Sequence, residues 1–127
     1  MATQGLVLFA HGARDARWAA PFDAIAQRIR AAQPALVVRL AFLELMTPGL
    51  LDAAAELVRE GCNPVDVLPL FLGSGSHVRR DLPALIERLS VEHPAVQFRL
   101  HPPIGETPQA IEALATVALQ MLDRGAP

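Results

Sequence analysis

The stretch VDVLPLFLGSGSHVRRDLPALIERL, residues 65–89, runs an unbroken apolar segment into a glycine-serine turn and then sets Val78, Leu82, Leu85, Ile86 and Leu89 at helical spacing. A short apolar run closed by glycine reads as a buried strand, and the 3.6-residue period that follows reads as an amphipathic helix. His77 stands where that helix begins.

The same alternation occurs three more times. LVLFA (6–10), LVVRLAFL (36–43) and VQFRL (96–100) are strand-like, and each is followed by a helical pattern: Phe22, Ile25, Ala26 and Ile29; Leu51, Ala54, Ala55 and Val58; Ile111, Leu114, Ala115, Ala118 and Leu122. Prolines punctuate the boundaries, with Pro34, Pro64 and Pro94 between a helix and the next strand, Pro48 near one helix start and Pro108 opening the last. A βαβαβαβα order builds parallel sheets through right-handed crossovers. The expected architecture is therefore an α/β three-layer sandwich, with a four-stranded parallel sheet in the order 2-1-3-4 flanked by helices. The fourth strand alternates apolar and polar residues and belongs at an edge. Pro69 lies inside the third strand, where it would cost a ladder hydrogen bond, so regular pairing there is expected to end near Leu68.

At 127 residues the chain has the length of one domain, and 1–127 is read as a single unit. Its apolar runs fall far short of the ~20 residues of a membrane span. The N-terminal MATQGLVLFAHG lacks the basic region and long apolar core of a signal peptide, so a cytoplasmic protein is expected. The single cysteine, Cys62, excludes an internal disulfide and a self-contained four-cysteine metal centre, leaving histidine and carboxylate as the ligands for any metal. A formal charge of −2, one tryptophan and no tyrosine argue against a nucleic-acid partner.

Ligands of open parallel sheets bind beyond the carboxyl ends of the strands. The first strand delivers His11 there, the second Glu44 and the third His77. With neighbouring strands about 4.8 Å apart, the three span roughly 10 Å, close enough to share one ion. Two imidazoles and a carboxylate with open positions suit iron, cobalt, nickel or zinc. Each has a blander reading taken alone: His11 as a turn residue, Glu44 as a solvated carboxylate, His77 as a helix-start residue beside Asp81. His93 and His101 precede prolines and read as loop residues. The turn Gly73-Ser74-Gly75-Ser76 reads as a backbone nest for an anion, although it lacks a P-loop lysine. Arg14, Arg17, Arg79 and Arg80 flank the histidines. Arg14 and Arg80 are the preferred contacts to a carboxylate-rich substrate, whereas Arg17 and Arg79 are as readily neutralised by Asp15 and Asp81.

LFAHGARD (8–15), AFLEL..P (41–48) and LPLFLGSGSHVRRDLP (68–83), in this order and spacing, resemble the small class II tetrapyrrole metal chelatases of the sirohydrochlorin cobaltochelatase/ferrochelatase family. The resemblance covers most of the chain, with Ala13 standing where the family usually has serine. It implies an enzyme that inserts a divalent metal, Co2+, Fe2+ or Ni2+, into sirohydrochlorin or a related carboxylated tetrapyrrole, in siroheme or cobalamin biosynthesis. The metal is then a substrate and no permanent cofactor is required. His11 becomes metal ligand and proton acceptor, His77 a metal ligand, and Glu44 an assistant at the metal or macrocycle. Leu72, Gly73, Ser74, Gly75 and Ser76 line the substrate. Larger chelatases of this kind hold the macrocycle between two α/β domains and this chain has length for one, which implies a homodimer. A non-catalytic metal or tetrapyrrole carrier using the same residues is the alternative. A histidine phosphatase ranks last, because Ala10 occupies the place of the arginine that precedes that family's histidine.

Overall fold

A computed structural model describes residues 3–73 and 75–124, with the side chain of His77 also outside the description. Four strands, β1 (Thr3–Ala10), β2 (Val37–Phe42), β3 (Cys62–Pro69) and β4 (Phe98–Leu100), form one parallel sheet in the order β2-β1-β3-β4. Helices α1 (Ala20–Ala32), α2 (Leu50–Arg59), α3 (Ser76–Glu92) and α4 (Pro108–Asp123) follow the strands in turn. The expected strand order and the edge position of β4 are both observed.

Strand alternation sorts the core into two faces. Val7 and Phe9 of β1 join Ala41, Val65 and Val67 beneath α2 and α3, whereas Leu8 and Val38 face Ala26 of α1. Right-handed crossovers dictate this split, because β1 to β2 runs in one direction and the two later crossovers run in the other. The inward residues of α2 are Leu50, Ala53, Ala54 and Leu57, about one residue out of phase with the set expected from sequence. Leu51 reaches the core only partly.

Pro69 pairs opposite Phe9 and remains inside β3, so the expected end of pairing at Leu68 is corrected. Parallel strands turn the peptide groups of successive residues to opposite neighbours. Leu70 donates to Phe9 on the β1 side (2.8 Å), and Val67 accepts from His101 on the β4 side (2.9 Å). Position 69 thus faces the β4 side, where β4 has already stopped at Leu100 and a missing N–H removes no strand bond.

Helix α4 forms as expected, with Thr107 accepting from the Ala110 N–H (3.2 Å) at its start. Its apolar positions do not reach the core, for every residue from Ile111 to Arg124 is exposed. No helix among the described residues is long and apolar enough to cross a membrane.

Candidate active site at the strand-end rim

His11 and Glu44 are brought together by continuation of the sheet. Beyond the last residues of β1 and β2, the Leu43 N–H donates to Ala10 O (2.9 Å) and the Glu44 N–H to His11 O (3.1 Å). The two side chains then meet, His11 Nε2 lying 3.1 Å from Glu44 Oε1 with both more than half exposed. An exposed imidazole–carboxylate pair keeps unused lone pairs toward solvent, as a group that takes up a cation or proton must.

The backbone around the pair is tightly constrained. Gly12 has φ 100°, and a Cβ there would lie 1.8 Å from Glu44 O, so only glycine lets the two loops touch. One residue on, Leu45 has φ 66° while Met46 N–H donates to Glu44 O (2.8 Å), an i to i+2 turn about a left-handed non-glycine residue. Such turns are rare and strained, and strain of this kind gathers at functional sites. From the end of β3, Phe71 sets the edge of its ring against His11 (centroids 6.4 Å apart) and itself packs on Phe9 (6.0 Å).

His77 is the second residue of α3, behind Gly75 in extended conformation (φ −69°, ψ 165°). Its backbone starts at the same rim, but its side chain and Ser74 lie outside the described residues. Among the described residues no three His, Cys, Asp or Glu side chains converge. Leu72, Gly73, Gly75 and Ser76 are all exposed, and a Cβ on Gly73 or Gly75 would meet open space. Those glycines therefore leave room above the rim rather than relieving a clash. Arg14 and Arg80 are exposed on the two flanking segments.

Arg17 is engaged by Asp15 (2.8 Å), and its guanidinium draws that carboxyl below its ordinary value. Arg79 pairs with Glu106 (3.0 Å). Cys62 is buried, and burial, assisted by Glu60 and opposed by Arg39, pushes its thiol up, which makes it a poor nucleophile.

The second polar cluster was not anticipated. Asp66 is 4% exposed within β3 and accepts from Arg99 Nε and Nη2 (2.7 and 2.8 Å) and from Gln4 Nε2 (2.8 Å), with His101 Nε2 2.8 Å away. Burial alone would raise this carboxyl, but the bonds from Arg99, His101 and Gln4 outweigh it and hold it well below the ordinary carboxylate range. His101 does sit in a loop, yet it has the carboxylate company that its sequence neighbours did not reveal. The usable signal was a lone aspartate inside an apolar strand, placed by register opposite Arg99.

A doubly wound parallel sheet with a histidine–carboxylate pair on its strand-end rim is the arrangement of an α/β protein that handles a small ligand or ion beyond its strands. The chain belongs to the CbiX family, whose model matches residues 5–120. It is 27% identical over 124 residues to the sirohydrochlorin ferrochelatase of Bacillus subtilis, covering 98% of this chain and 46% of that protein. To the sirohydrochlorin cobaltochelatase of Sulfolobus acidocaldarius it is 27% identical over 118 residues, covering 93% and 92%. Among solved structures, a CbiX protein from Marinobacter aquaeolei VT8 superimposes with a TM-score of 0.83 at 35% identity and 98% coverage of both chains. SirB from Bacillus subtilis with Fe3+ superimposes with a TM-score of 0.79 at 27% identity, covering 98% of this chain and 48% of that one. The chain thus spans about half the length of the Bacillus relatives and nearly all of the others.

Proposed function

We propose that this chain inserts a divalent metal, Co2+, Fe2+ or Ni2+, into sirohydrochlorin or a related carboxylated tetrapyrrole. The observation that carries the reading is the exposed His11–Glu44 pair, 3.1 Å apart, at the ends of adjacent strands in a member of the CbiX family. Relatives named for cobalt and for iron chelation support the substrate class.

Insertion requires two pyrrole N–H protons to leave while the ion exchanges water for four ring nitrogens. His11 offers a lone pair to the ion or to one of those protons, because an imidazole changes charge near neutral pH. Glu44 orients that ring, and its negative charge offsets the arriving dication. His77, at the start of α3 on the same rim, is assigned as a second ligand. An incomplete set of protein ligands suits delivery, since the metal is a substrate that must be released.

Arg14 and Arg80 are assigned to the rim carboxylates of the macrocycle, and the segment Leu72, Gly73, Ser74, Gly75 and Ser76 to its face. A single 1–127 unit provides one wall of a cleft, so we assign a homodimer with the strand-end rims facing each other and the ring between them. Action in the cytoplasm, in siroheme or cobalamin formation, completes the reading.

The test follows the absorbance change of sirohydrochlorin on adding Co2+ or Fe2+, with protein and without it. Wild type should accelerate the change and His11→Ala should remove most of the acceleration. Equal rates with and without folded protein would end the proposal.

A further inference from the structure

Leu45 combines two costs at one position. Its φ of 66° lies in the left-handed region, which asparagine and glycine enter far more readily than leucine. Its side chain is also 60% exposed, so burial does not offset the strain. Glycine or asparagine would suit the turn better, and either is easier to leave in water.

The strained turn is held from both sides. The Glu44 N–H donates to His11 O (3.1 Å), the Met46 N–H to Glu44 O (2.8 Å) and the Phe42 N–H to Pro48 O (2.9 Å). Met46 packs with Trp18 and Phe22 against the buried Phe42. With its neighbours fixed, Leu45 is held out to solvent at the residue after Glu44.

Topology gives this leucine a counterpart. In the order β2-β1-β3, Leu45 stands three residues past the end of β2 and Leu72, 73% exposed, three residues past the end of β3, while His11 follows directly on β1 between them. Two strand spacings place the leucines roughly 10 Å apart across the rim. Neither can bond a carboxylate, but both offer dispersion contacts and burial to a flat apolar face. A tetrapyrrole has such a face, with its carboxylates at the periphery and its exchangeable N–H protons at the centre.

We propose that Leu45 is a substrate-contact residue: with Leu72 it forms an apolar shelf on either side of His11, on which the flat face of the macrocycle rests. The inference rests on the chelatase reading above and deepens it by naming a contact that sets how the ring sits. Straddling His11, the shelf centres the pyrrole nitrogens over the imidazole, while Arg14 and Arg80 take the periphery. The left-handed backbone at position 45 is then strain kept for binding rather than for folding.

The chain's one tryptophan, Trp18, reports binding apart from catalysis, because a conjugated macrocycle absorbs where tryptophan emits and quenches it when bound. Leu45→Gly and Leu45→Asn should raise the urea midpoint of unfolding, since both suit a φ of 66°. Both should weaken binding of metal-free sirohydrochlorin by about 5- to 20-fold, the scale of burying the exposed part of a leucine, and raise KM by a like factor. Leu45→Met keeps the apolar volume without branching at Cβ and should hold affinity within about threefold. Unchanged ring affinity in the Gly and Asn variants would overturn this inference alone, as would a Met variant as weak as the Gly one, or a lowered urea midpoint in both Gly and Asn variants. A loss confined to kcat, with affinity kept, would also overturn it, by showing that position 45 acts only through Glu44. A wild type that neither binds sirohydrochlorin nor accelerates its metallation would remove the chelatase reading and this inference with it.

Discussion

Among the described residues, two histidine–carboxylate pairs sit under opposite conditions. His101 and Asp66 are 2.8 Å apart, with Asp66 buried and further occupied by Arg99 and Gln4. His11 and Glu44 are 3.1 Å apart, more than half exposed, and joined by a single bond. The first carboxylate has its acceptor sites filled by protein donors and pins β4 and its following loop to β3. The second has vacant lone pairs facing solvent. Similar functional groups are thus structural in one setting and available for chemistry in the other, and the difference lies in how many donors the fold has already spent on the carboxylate.

The largest effect that tests this contrast is on rate. His11→Ala should lower the rate of metal insertion by about 100-fold or more, the scale of losing a proton acceptor, with little change in thermal stability because the ring is exposed. His101→Ala should leave the rate nearly unchanged and lower the melting temperature. The reverse pattern, measured by sirohydrochlorin absorbance and by thermal denaturation, would exchange the roles of the two pairs. Glu44→Gln, which keeps the shape and removes the charge, should cost about 10- to 100-fold in rate, as expected for a group that orients and tunes a ligand.

Next comes the backbone beneath the exposed pair. Gly12→Ala places a methyl group 1.8 Å from Glu44 O at φ 100°, so the His11 and Glu44 loops must separate. A cost of about 1–3 kcal/mol in stability is expected, along with a rate loss approaching that of Glu44→Gln. For stability alone, Gly75→Ala makes the control, because open space surrounds that position and its φ is ordinary. Denaturant titration of both variants checks the pair.

Strand order and the placement of His11 and Glu44 were legible in sequence because both rest on local periodicity and on a topological rule. Hydrophobic runs separated by helical patterns leave few parallel arrangements, and residues just past strand ends fall on the rim in all of them. Pro69 was misjudged because its tolerance depends on how far a different strand extends, which residues 96–100 do not reveal. The Asp66 cluster needed register between β3 and β4, a relation that a linear reading does not supply. Phe71 was absorbed into an apolar run and its contact with His11 appears only when β1 and β3 lie side by side. For α4 the periodicity correctly gave a helix, but amphipathicity states that a face needs cover without stating which molecule provides it.

The smallest effect, and the one that best isolates the buried pair, is its dependence on acid. Asp66→Asn should destabilise the fold by about 1–3 kcal/mol at neutral pH while leaving metal insertion intact, since Arg99 and His101 lose a charged acceptor far from the rim. The Asp66 carboxyl lies well below the ~3.9 of a free aspartate. Between those two values the unfolded chain binds the extra proton and the folded chain does not, so stability rises with pH there. Its contribution is complete above the unfolded value and is lost as pH falls toward the folded one. The stability difference between wild type and Asp66→Asn should therefore shrink below about pH 4. A difference that stayed constant down to pH 2, measured by urea unfolding at each pH, would mean that the hydrogen bonds of Arg99 and Gln4 serve a neutral side chain as well as a carboxylate.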